Sequence, residues 1–230
     1  MDLVQIKDPN RSHSVARATN PDTLESGMSI GEPTVYIDFL CPWAYRGAMW
    51  LADVEKAGRI RPQFRFFSLS QNHDARQGLP EPPIWERDPR AKGLPAFLAA
   101  TAARVQGTEA GDRFRLALQR ARHEDHLPVD DYATFRLAAE RAGLDVAQFV
   151  RDVERSDFAT LAGEHAEAVR RGVFGVPTLV WPEGRSYYLK ITELIPADRA
   201  VALYDAIETV HRFGEVIEIK TPESEGTLAA

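Results

Sequence analysis

The residue in this chain best suited to chemistry is its single cysteine, Cys41, at the junction of an apolar run and a helical pattern. Residues 35–40 are typical of a buried strand, and Pro42 suits the first position of a helix, where its missing N–H loses no hydrogen bond. A helix N-terminus carries partial positive charge and unpaired N–H groups, which favour thiolate over thiol. We therefore expect the pKa of Cys41 to lie below the value of about 8.5 of a free cysteine.

The residue three positions after Cys41 limits the reaction that this thiol can perform. A dithiol oxidoreductase carries its second cysteine there, and this sequence has Ala44. The motif Cys-Pro-Trp-Ala therefore predicts one-thiol chemistry, with no internal disulfide to store oxidising equivalents. The alternative is a structural cysteine, because a free cysteine is often buried and behaves as a small hydrophobe.

A second motif, Gly175-Val176-Pro177-Thr178, lies far downstream at the head of an apolar, β-branched run. A proline at the start of such a run cannot donate to a strand ladder and is usual at an edge or a turn. It is also a candidate for a cis peptide bond, a form found at only about 5–6% of X-Pro bonds in folded proteins and usually retained for a purpose.

Together, Cys-Pro-Trp-x after a first strand and Gly-Val-Pro-Thr before a third resemble the motifs of the DsbA-like branch of the thioredoxin superfamily. The resemblance runs from about Pro33 to His211. This branch includes cytosolic dithiol oxidoreductases, kappa-class glutathione transferases and 2-hydroxychromene-2-carboxylate isomerases. The resemblance implies that Pro177 is cis and faces Cys41, and that the backbone of Val176 pairs with a bound thiol peptide or substrate. It also implies that Pro42 and Trp43 contribute to the thiol-binding surface.

Composition and charge are typical of a single intracellular domain. Hydrophobic residues make up 44% of the chain, but no apolar run approaches the roughly 20 residues of a membrane helix. The polar N-terminus lacks the apolar core of a secretory signal, and a lone cysteine has no partner for a structural disulfide. We therefore expect a cytoplasmic protein with no membrane partner. A net charge of −6 and a pI near 5.6 also argue against a nucleic-acid partner, which requires a basic surface.

The apolar spacing predicts an α/β chain, and with the resemblance this implies a DsbA-like thioredoxin fold with a helical insertion. Strands are predicted at residues 34–40, 64–69, 178–181 and 186–191. Helices are predicted at residues 42–57, 96–105, 112–124, 131–142, 146–155, 157–171 and 197–213. The segment 71–93 is rich in proline and glycine, which predicts a long loop that shapes the substrate entrance.

This pattern divides the chain into four parts. Residues 1–32 are predicted to be a polar N-terminal arm, and residues 215–230 a peripheral C-terminal tail. Residues 33–94 and 172–214 are predicted to form the thioredoxin-like domain. Residues 95–171 are predicted to be a helical insertion between its βαβ and ββα halves, and the resemblance implies that they form a wall of the substrate groove.

A metal site is the first alternative to thiol chemistry. His123 and His126 stand three residues apart, a spacing that places two ligands on one helical face. Because Leu127-Pro128 follows at once, we expect His126 to be solvated near a helix end and predict no metal site.

A set of arginines and a set of aromatic residues could indicate two other kinds of binding site. Four arginines that could bind an anionic cosubstrate are instead predicted to form a solvated helix face: Arg113, Arg115, Arg120 and Arg122. Five aromatic residues are predicted to form core and groove walls rather than a cofactor site: Trp43, Tyr45, Trp50, Trp85 and Trp181.

The sequence thus predicts a monothiol oxidoreductase or thiol-dependent transferase with Cys41 as nucleophile. Its partner is expected to be a low-molecular-weight thiol or a protein disulfide, with an external thiol completing turnover and no tightly bound cofactor. The resemblance implies glutathione, but residues 192–196 lack the Gly-x-Asp-Arg signature of the related transferases, so another small thiol stays open. The alternatives are a glutathione-dependent isomerase or transferase of the chromene-carboxylate or kappa type, and a non-catalytic binding protein. A homodimer is also left open.

Overall fold

The structure is a computed structural model that describes residues 31–78 and 81–220. The predicted N-terminal arm, residues 1–32, lies outside the described residues except for its last two positions. Residues 221–230 of the predicted tail also lie outside them. Within the described ranges the chain forms four strands and nine helices, the mixed α/β architecture that the sequence predicts.

The four strands form one sheet in the order β2-β1-β3-β4. The strands are β1 (Thr34–Ile37), β2 (Gln63–Phe66), β3 (Thr178–Val180) and β4 (Ser186–Tyr188). Strand β1 runs parallel to β2, with Val35 opposite Phe64, and antiparallel to β3, with Val35 opposite Leu179. The pairing of β1 with β3 joins two distant parts of the chain at the centre of the sheet, where both strands are mostly buried.

The helices surround this sheet. They are α1 (Pro42–Lys56), α2 (Leu69–Arg76), α3 (Ile84–Arg87), α4 (Leu94–Arg104), α5 (Thr108–His123), α6 (Tyr132–Arg141), α7 (Val146–Arg155), α8 (Ala159–Arg170) and α9 (Ala197–Arg212). Helix α1 packs between α5 and α9, and the indole N–H of Trp50 donates to the carbonyl of Ala200 at 2.9 Å. None of the described helices combines the length and the apolar character needed to cross a lipid bilayer.

Strand β1 ends three residues earlier than predicted because of Asp38. Its carboxylate accepts hydrogen bonds from the N–H groups of Leu40 at 2.8 Å and Leu69 at 2.9 Å. These bonds replace ladder hydrogen bonds and turn the chain toward α1. The second and fourth predicted strands are also shorter in the structure, ending at Phe66 and Tyr188.

The prediction of one long loop at residues 71–93 was wrong. Helix α2 occupies Leu69–Arg76, begins at Ser68, whose Oγ accepts the N–H of Gln71 at 3.1 Å, and has no buried side chain. Without a buried face it shows no apolar period, so the pattern did not reveal it. The short helix α3 lies in the same segment.

Helix α5 begins four residues before its predicted start at residue 112, and Gly111 lies inside it instead of breaking it. A Cβ atom at Gly111 would lie 2.7 Å from Cγ of Arg104. Glycine is therefore used here to let α5 approach α4 closely.

Candidate functional site

Cys41 is the N-cap residue of α1. Its backbone is extended, Pro42 follows at the first helical position, and its Sγ accepts the N–H of Ala44 at 3.4 Å. The residue is only 4% exposed. The structure thus places the thiol at the positive end of α1, as the sequence predicts, but also removes it from water.

The second motif lies directly against this cysteine. The Val176–Pro177 peptide bond is cis, and the thiol of Cys41 donates to the carbonyl oxygen of Val176 at 3.3 Å. The ring of Pro177 packs on α1 at Gly47, where a Cβ atom would lie 2.8 Å from Cγ of the proline. The structure therefore brings together Cys41, Val176 and Pro177, which the sequence keeps far apart.

Hydrogen bonds on both sides fix the segment Gly175-Val176-Pro177, which we call the proline loop. The hydroxyl of Thr178 donates to the carbonyl of Gly175 at 2.7 Å, and the N–H of Leu189 donates to the carbonyl of Pro177 at 3.0 Å. Among the described residues, none accepts a hydrogen bond from the N–H of Val176. The loop is thus fixed, and the N–H of Val176 next to the thiol is left without a partner within the described ranges, in a residue that is only 1% exposed.

Pro42 and Trp43 are half-buried at the first turn of α1. The ammonium group of Lys190 lies 4.6 Å from the ring centroid of Trp43, a cation–π distance, and a guanidinium N–H of Arg46 donates to the carbonyl of Ile191 at 3.3 Å. The segment after β4 therefore packs along the exposed side of this turn.

The expectation of an acidic thiol was wrong. Burial raises the pKa of Cys41 to about 11, although the N–H groups of Ala44 and Trp43 act in the opposite direction, and the nearby charge of Asp38 raises the pKa further. The helix N-terminus does favour the thiolate, but loss of hydration disfavours it more. The resting protein therefore holds Cys41 as a neutral thiol that donates to Val176.

Asp38 is a buried acid of this site that the sequence analysis did not single out. It is 2% exposed, and burial raises its pKa to about 6, against the two N–H groups of Leu40 and Leu69 that stabilise its charge. The signal in the sequence is one carboxylate inside an otherwise apolar run. Its position fixes the turn that leads from β1 to Cys41.

A cavity of about 220 Å³ opens beside the first turn of α1. We call it the basic pocket; its lining residues are Pro42, Tyr45, Arg46, Arg122, His123 and His126. The ring of His123 stacks on Tyr45 at 4.9 Å, and its Nε2 lies 3.0 Å from the carbonyl oxygen of Phe39. Burial lowers the pKa of His123, and the permanent charges of the pocket are those of Arg46 and Arg122.

The two histidines occupy different environments. His123 is the last residue of α5, whereas His126 lies beyond the helix with a φ of 58° and is exposed, as the sequence analysis expected. Within residues 31–78 and 81–220 there is no group of three or more histidine, cysteine or acidic side chains that could hold a metal ion.

The prediction of a solvated arginine face holds for Arg113 and Arg120, which are exposed, but was wrong for Arg115 and Arg122, because Arg122 is half-buried. Arg115 is buried, its guanidinium lies 3.4 Å from the ring centroid of Phe64, and it donates to Gln119 at 3.0 Å. Of the predicted wall residues, Trp50 and Trp181 are fully buried, and Trp43 and Trp85 are half-buried.

Comparison with known proteins agrees with this fold. Residues 34–208 match the model of the DSBA-like thioredoxin domain family. The uncharacterized protein Rv2286c of Mycobacterium tuberculosis is 28% identical over 197 residues, which cover 82% of this chain and 81% of that protein.

Solved structures share the fold at low sequence identity. A 2-hydroxychromene-2-carboxylate isomerase has a TM-score of 0.56 and 16% identity, over 81% of this chain and 99% of the isomerase. The cytosolic disulfide reductase DsbM of Pseudomonas aeruginosa, in a structure with glutathione, has a TM-score of 0.55 and 18% identity, over 77% of this chain and 99% of DsbM. A probable DsbA oxidoreductase of Streptomyces coelicolor has a TM-score of 0.53 and 17% identity, over 84% and 94% of the two chains.

Proposed function

The chain belongs to the DSBA-like thioredoxin domain family, and from this premise we propose that it is a thiol-dependent oxidoreductase in which Cys41 works without a second cysteine. The observation that carries the proposal is the position of Cys41 at the start of α1, with its sulfur 3.3 Å from the carbonyl oxygen of Val176. This arrangement gives a lone thiol both a helix N-terminus and a backbone edge to which a small thiol peptide can bind.

The proposed reaction exchanges glutathione, or a similar small thiol, between disulfides. In the first step the sulfur of Cys41 attacks the glutathione sulfur of a mixed disulfide, whose S–S bond breaks as a Cys41–glutathione disulfide forms. The other half leaves as a thiol, which carries away the proton of Cys41. A second glutathione then attacks the glutathione sulfur of the enzyme disulfide, restores the Cys41 thiol and leaves as glutathione disulfide. The number of S–S bonds stays constant, so no further oxidant or reductant is needed.

Val176 links substrate binding to activation of the thiol. The peptide backbone of a bound thiol would accept a hydrogen bond from the free N–H of Val176 and donate one to its carbonyl oxygen. A donor at this carbonyl competes with the thiol of Cys41, which then loses its acceptor. The N–H of Ala44 and the start of α1 remain to stabilise the thiolate.

Glutathione is the proposed small thiol on the evidence of the fold alone. The structurally similar DsbM was solved with glutathione, and a cavity of about 220 Å³ opens beside Pro42 in this chain. The absence of a second thiol near Cys41 rules out release by an internal disulfide, so an external thiol must complete the cycle. A cytoplasmic location, where small thiols are kept reduced, suits this requirement.

The neutral state of Cys41 favours a second candidate, a glutathione-dependent isomerase or transferase. In that reaction the S–H of Cys41 would donate to the thiolate of a bound glutathione, and no bond to Cys41 would form. The raised pKa of Cys41 suits such a donor because the thiol keeps its proton at neutral pH.

Burial of Cys41 to 4% exposure favours a third candidate, a binding protein without catalysis. In this case the cysteine would serve only as a packed side chain, and the free N–H of Val176 would bind a peptide segment of a partner.

One experiment separates the three candidates. The reduced protein is incubated with glutathione disulfide, and the intact mass is measured before and after dithiothreitol. The proposal predicts a reversible glutathione adduct on Cys41, and turnover of the mixed disulfide of glutathione and 2-mercaptoethanol. Cys41→Ser is the matched control, because its hydroxyl can make the same two hydrogen bonds and yet cannot form a disulfide.

The outcomes differ for each candidate. A glutathione-dependent isomerase or transferase would not need a disulfide at Cys41. Its isomerase or transferase activity would survive in Cys41→Ser, whose hydroxyl can still donate to the glutathione thiolate, and would be lost in Cys41→Ala. A protein that forms no adduct and shows no thiol-dependent turnover in any variant would be the non-catalytic binder, and the proposal would be rejected.

A further inference from the structure

The basic pocket carries two arginine charges, those of Arg46 and Arg122. Neither Arg46 nor Arg122 forms an ion pair with any described residue. The Nε of Arg122 is buried and has no hydrogen-bond partner within the described ranges. A buried donor without a partner is rare in a folded protein and requires an explanation.

A neighbouring cavity shows what a neutralised arginine cluster looks like in the same protein. It is lined by Arg113, Arg120 and Arg141 together with Glu124 and Asp125. There Arg120 lies 3.7 Å from Glu124, and Arg141 pairs with Asp125. No carboxylate lines the basic pocket, so an anion from outside can bind Arg122 and those N–H groups of Arg46 that do not donate to Ile191.

The position of the basic pocket relates it to Cys41. Pro42, which forms one wall, is the next residue in the chain, and Arg46 lies one turn further along α1. The stacked rings of Tyr45 and His123 form a flat wall beside the arginines. At about 220 Å³ the cavity is smaller than the 300–1,000 Å³ of whole-ligand sites, so it suits one end of a small molecule.

We propose that the basic pocket binds the carboxylate end of a small molecule whose sulfur reacts at Cys41. A planar carboxylate can accept paired hydrogen bonds from a guanidinium fork, which gives both affinity and orientation. This inference rests on the proposed function for the sulfur chemistry. The carboxylate belongs either to the small thiol or to the other half of the disulfide, and the experiment below distinguishes these two sources.

Symmetrical disulfides with the same two-carbon arm and different end charges test the pocket. The probes are 3,3′-dithiodipropionate, with a carboxylate at each end, neutral 2-hydroxyethyl disulfide and cationic cystamine. We expect Cys41 to form its adduct at least about tenfold faster with the dicarboxylate than with the neutral probe, the scale of one charge-assisted hydrogen bond. Cystamine should be the slowest of the three. Intact mass measured over time gives each rate.

Arginine variants assign the preference to residues. Arg122→Gln and Arg46→Gln should each abolish most of the preference, measured as the ratio of the rate with the dicarboxylate to the rate with 2-hydroxyethyl disulfide in the same variant. Arg136→Gln is the control, because this exposed arginine on α6 does not line the pocket. Equal rates with all three probes in the parent protein would overturn the proposal that the basic pocket binds a carboxylate. They would leave the proposed function intact.

Binding without reaction provides a readout that does not depend on the proposed function. Titration calorimetry on Cys41→Ser uses S-methylglutathione, which has no reactive sulfur, and benzoate. Binding of S-methylglutathione that is lost in Arg122→Gln assigns the carboxylate to the thiol, whereas the same result with benzoate alone assigns it to the other substrate. Absence of Arg122-dependent binding of either probe overturns the inference, even if Cys41 proves inert.

Discussion

The thiol of Cys41 donates a hydrogen bond to the carbonyl oxygen of Val176, 135 residues further along the chain, at 3.3 Å. The bond holds the proton on sulfur, and it uses the carbonyl that a bound peptide would also seek. Ionisation of the cysteine is therefore coupled to occupation of the proline loop.

Alkylation kinetics test the state of this thiol. Because burial raises the pKa of Cys41 to about 11, iodoacetamide should react slowly at neutral pH, and its rate should still be rising at pH 10. The rate is measured by intact mass from pH 6 to 10. The same chain in concentrated urea is the control and should show an inflection near 8.5, the value of a free cysteine. A plateau below pH 8.5 in the folded protein would mean that the helix N-terminus outweighs burial.

The close contact of Gly47 with Pro177 predicts a substitution with a double effect. In Gly47→Ala the new Cβ would lie 2.8 Å from the proline ring, so α1 and the loop must separate. We expect a loss of about 1–3 kcal/mol in unfolding free energy, typical of overpacking, together with slower adduct formation at Cys41. Chemical denaturation and intact mass measure the two effects.

Gly163→Ala in α8 is the matched control for Gly47→Ala. A Cβ at Gly163 meets no atom within 4 Å, so only helix propensity changes, and stability should rise by about 0.8–1 kcal/mol. Equal stability changes at the two glycines would contradict the contact with Pro177.

Ala44→Cys tests whether the turn keeps the geometry of a dithiol site. The N–H of Ala44 lies 3.4 Å from Sγ of Cys41, and residues three apart share one helix face. We expect a mild oxidant to remove both thiols by forming an internal disulfide, and dithiothreitol to restore them. Thiol titration and intact mass measure the change.

Ala48→Cys provides the comparison for Ala44→Cys. It replaces another fully buried alanine of α1, seven residues after Cys41 and about 10 Å further along the helix axis. Its two thiols should stay free under the same oxidant. If the thiols of folded Ala44→Cys also stay free, the first turn of α1 does not have the redox-active geometry.

His165 predicts a loss of stability in mild acid. Its Nδ1 accepts the N–H of Ser68 at 3.2 Å, and burial lowers its pKa to about 4. The unfolded chain, with a histidine pKa of about 6.5, therefore binds a proton between pH 6.5 and 4 that the folded chain does not. This group should lower the unfolding free energy by about 2 kcal/mol between pH 7.5 and 5.

A variant isolates this contribution, because Asp38 acts in the opposite direction. The pKa of Asp38 is raised to about 6, so its protonation stabilises the folded state as the pH falls from 6 to 4. Urea unfolding at pH 7.5 and 5 should show a smaller loss in His165→Gln than in the parent. His73→Gln, at an exposed position of α2, should behave like the parent. Equal losses in parent and His165→Gln would contradict a neutral buried histidine.

Local signals explain which elements the sequence could predict. The start of α1 follows from Pro42, and the bounds of α7, Val146–Arg155, were predicted to the residue because apolar residues recur at helical spacing. In the structure Asp145 caps this helix. Helix α2 gave no such signal, since none of its side chains is buried. Strand β1 was predicted too long because a carboxylate at Asp38 competes with the ladder.

In the functional site, too, some features follow from local sequence and others only from the folded chain. Two motifs identified Cys41 and Pro177, but the direction of the Cys41 pKa shift depends on how much protein surrounds the sulfur, which no local pattern reports. The basic pocket was missed for a related reason. Arg46 and Arg122 belong to different helices, and only the folded chain brings them to one cavity.

The long separation between Cys41 and Val176 also matters while the protein is being made. At the usual 5–20 residues per second, the 135 residues between them take roughly 7 to 27 s to translate. During that interval the nascent chain carries the cysteine without its carbonyl acceptor and without the strand β3 that completes the sheet. The complete burial that raises the pKa of Cys41 in the folded protein is then not yet in place. Oxidants in the cell therefore have their best access to Cys41 at the ribosome, before the finished fold encloses it.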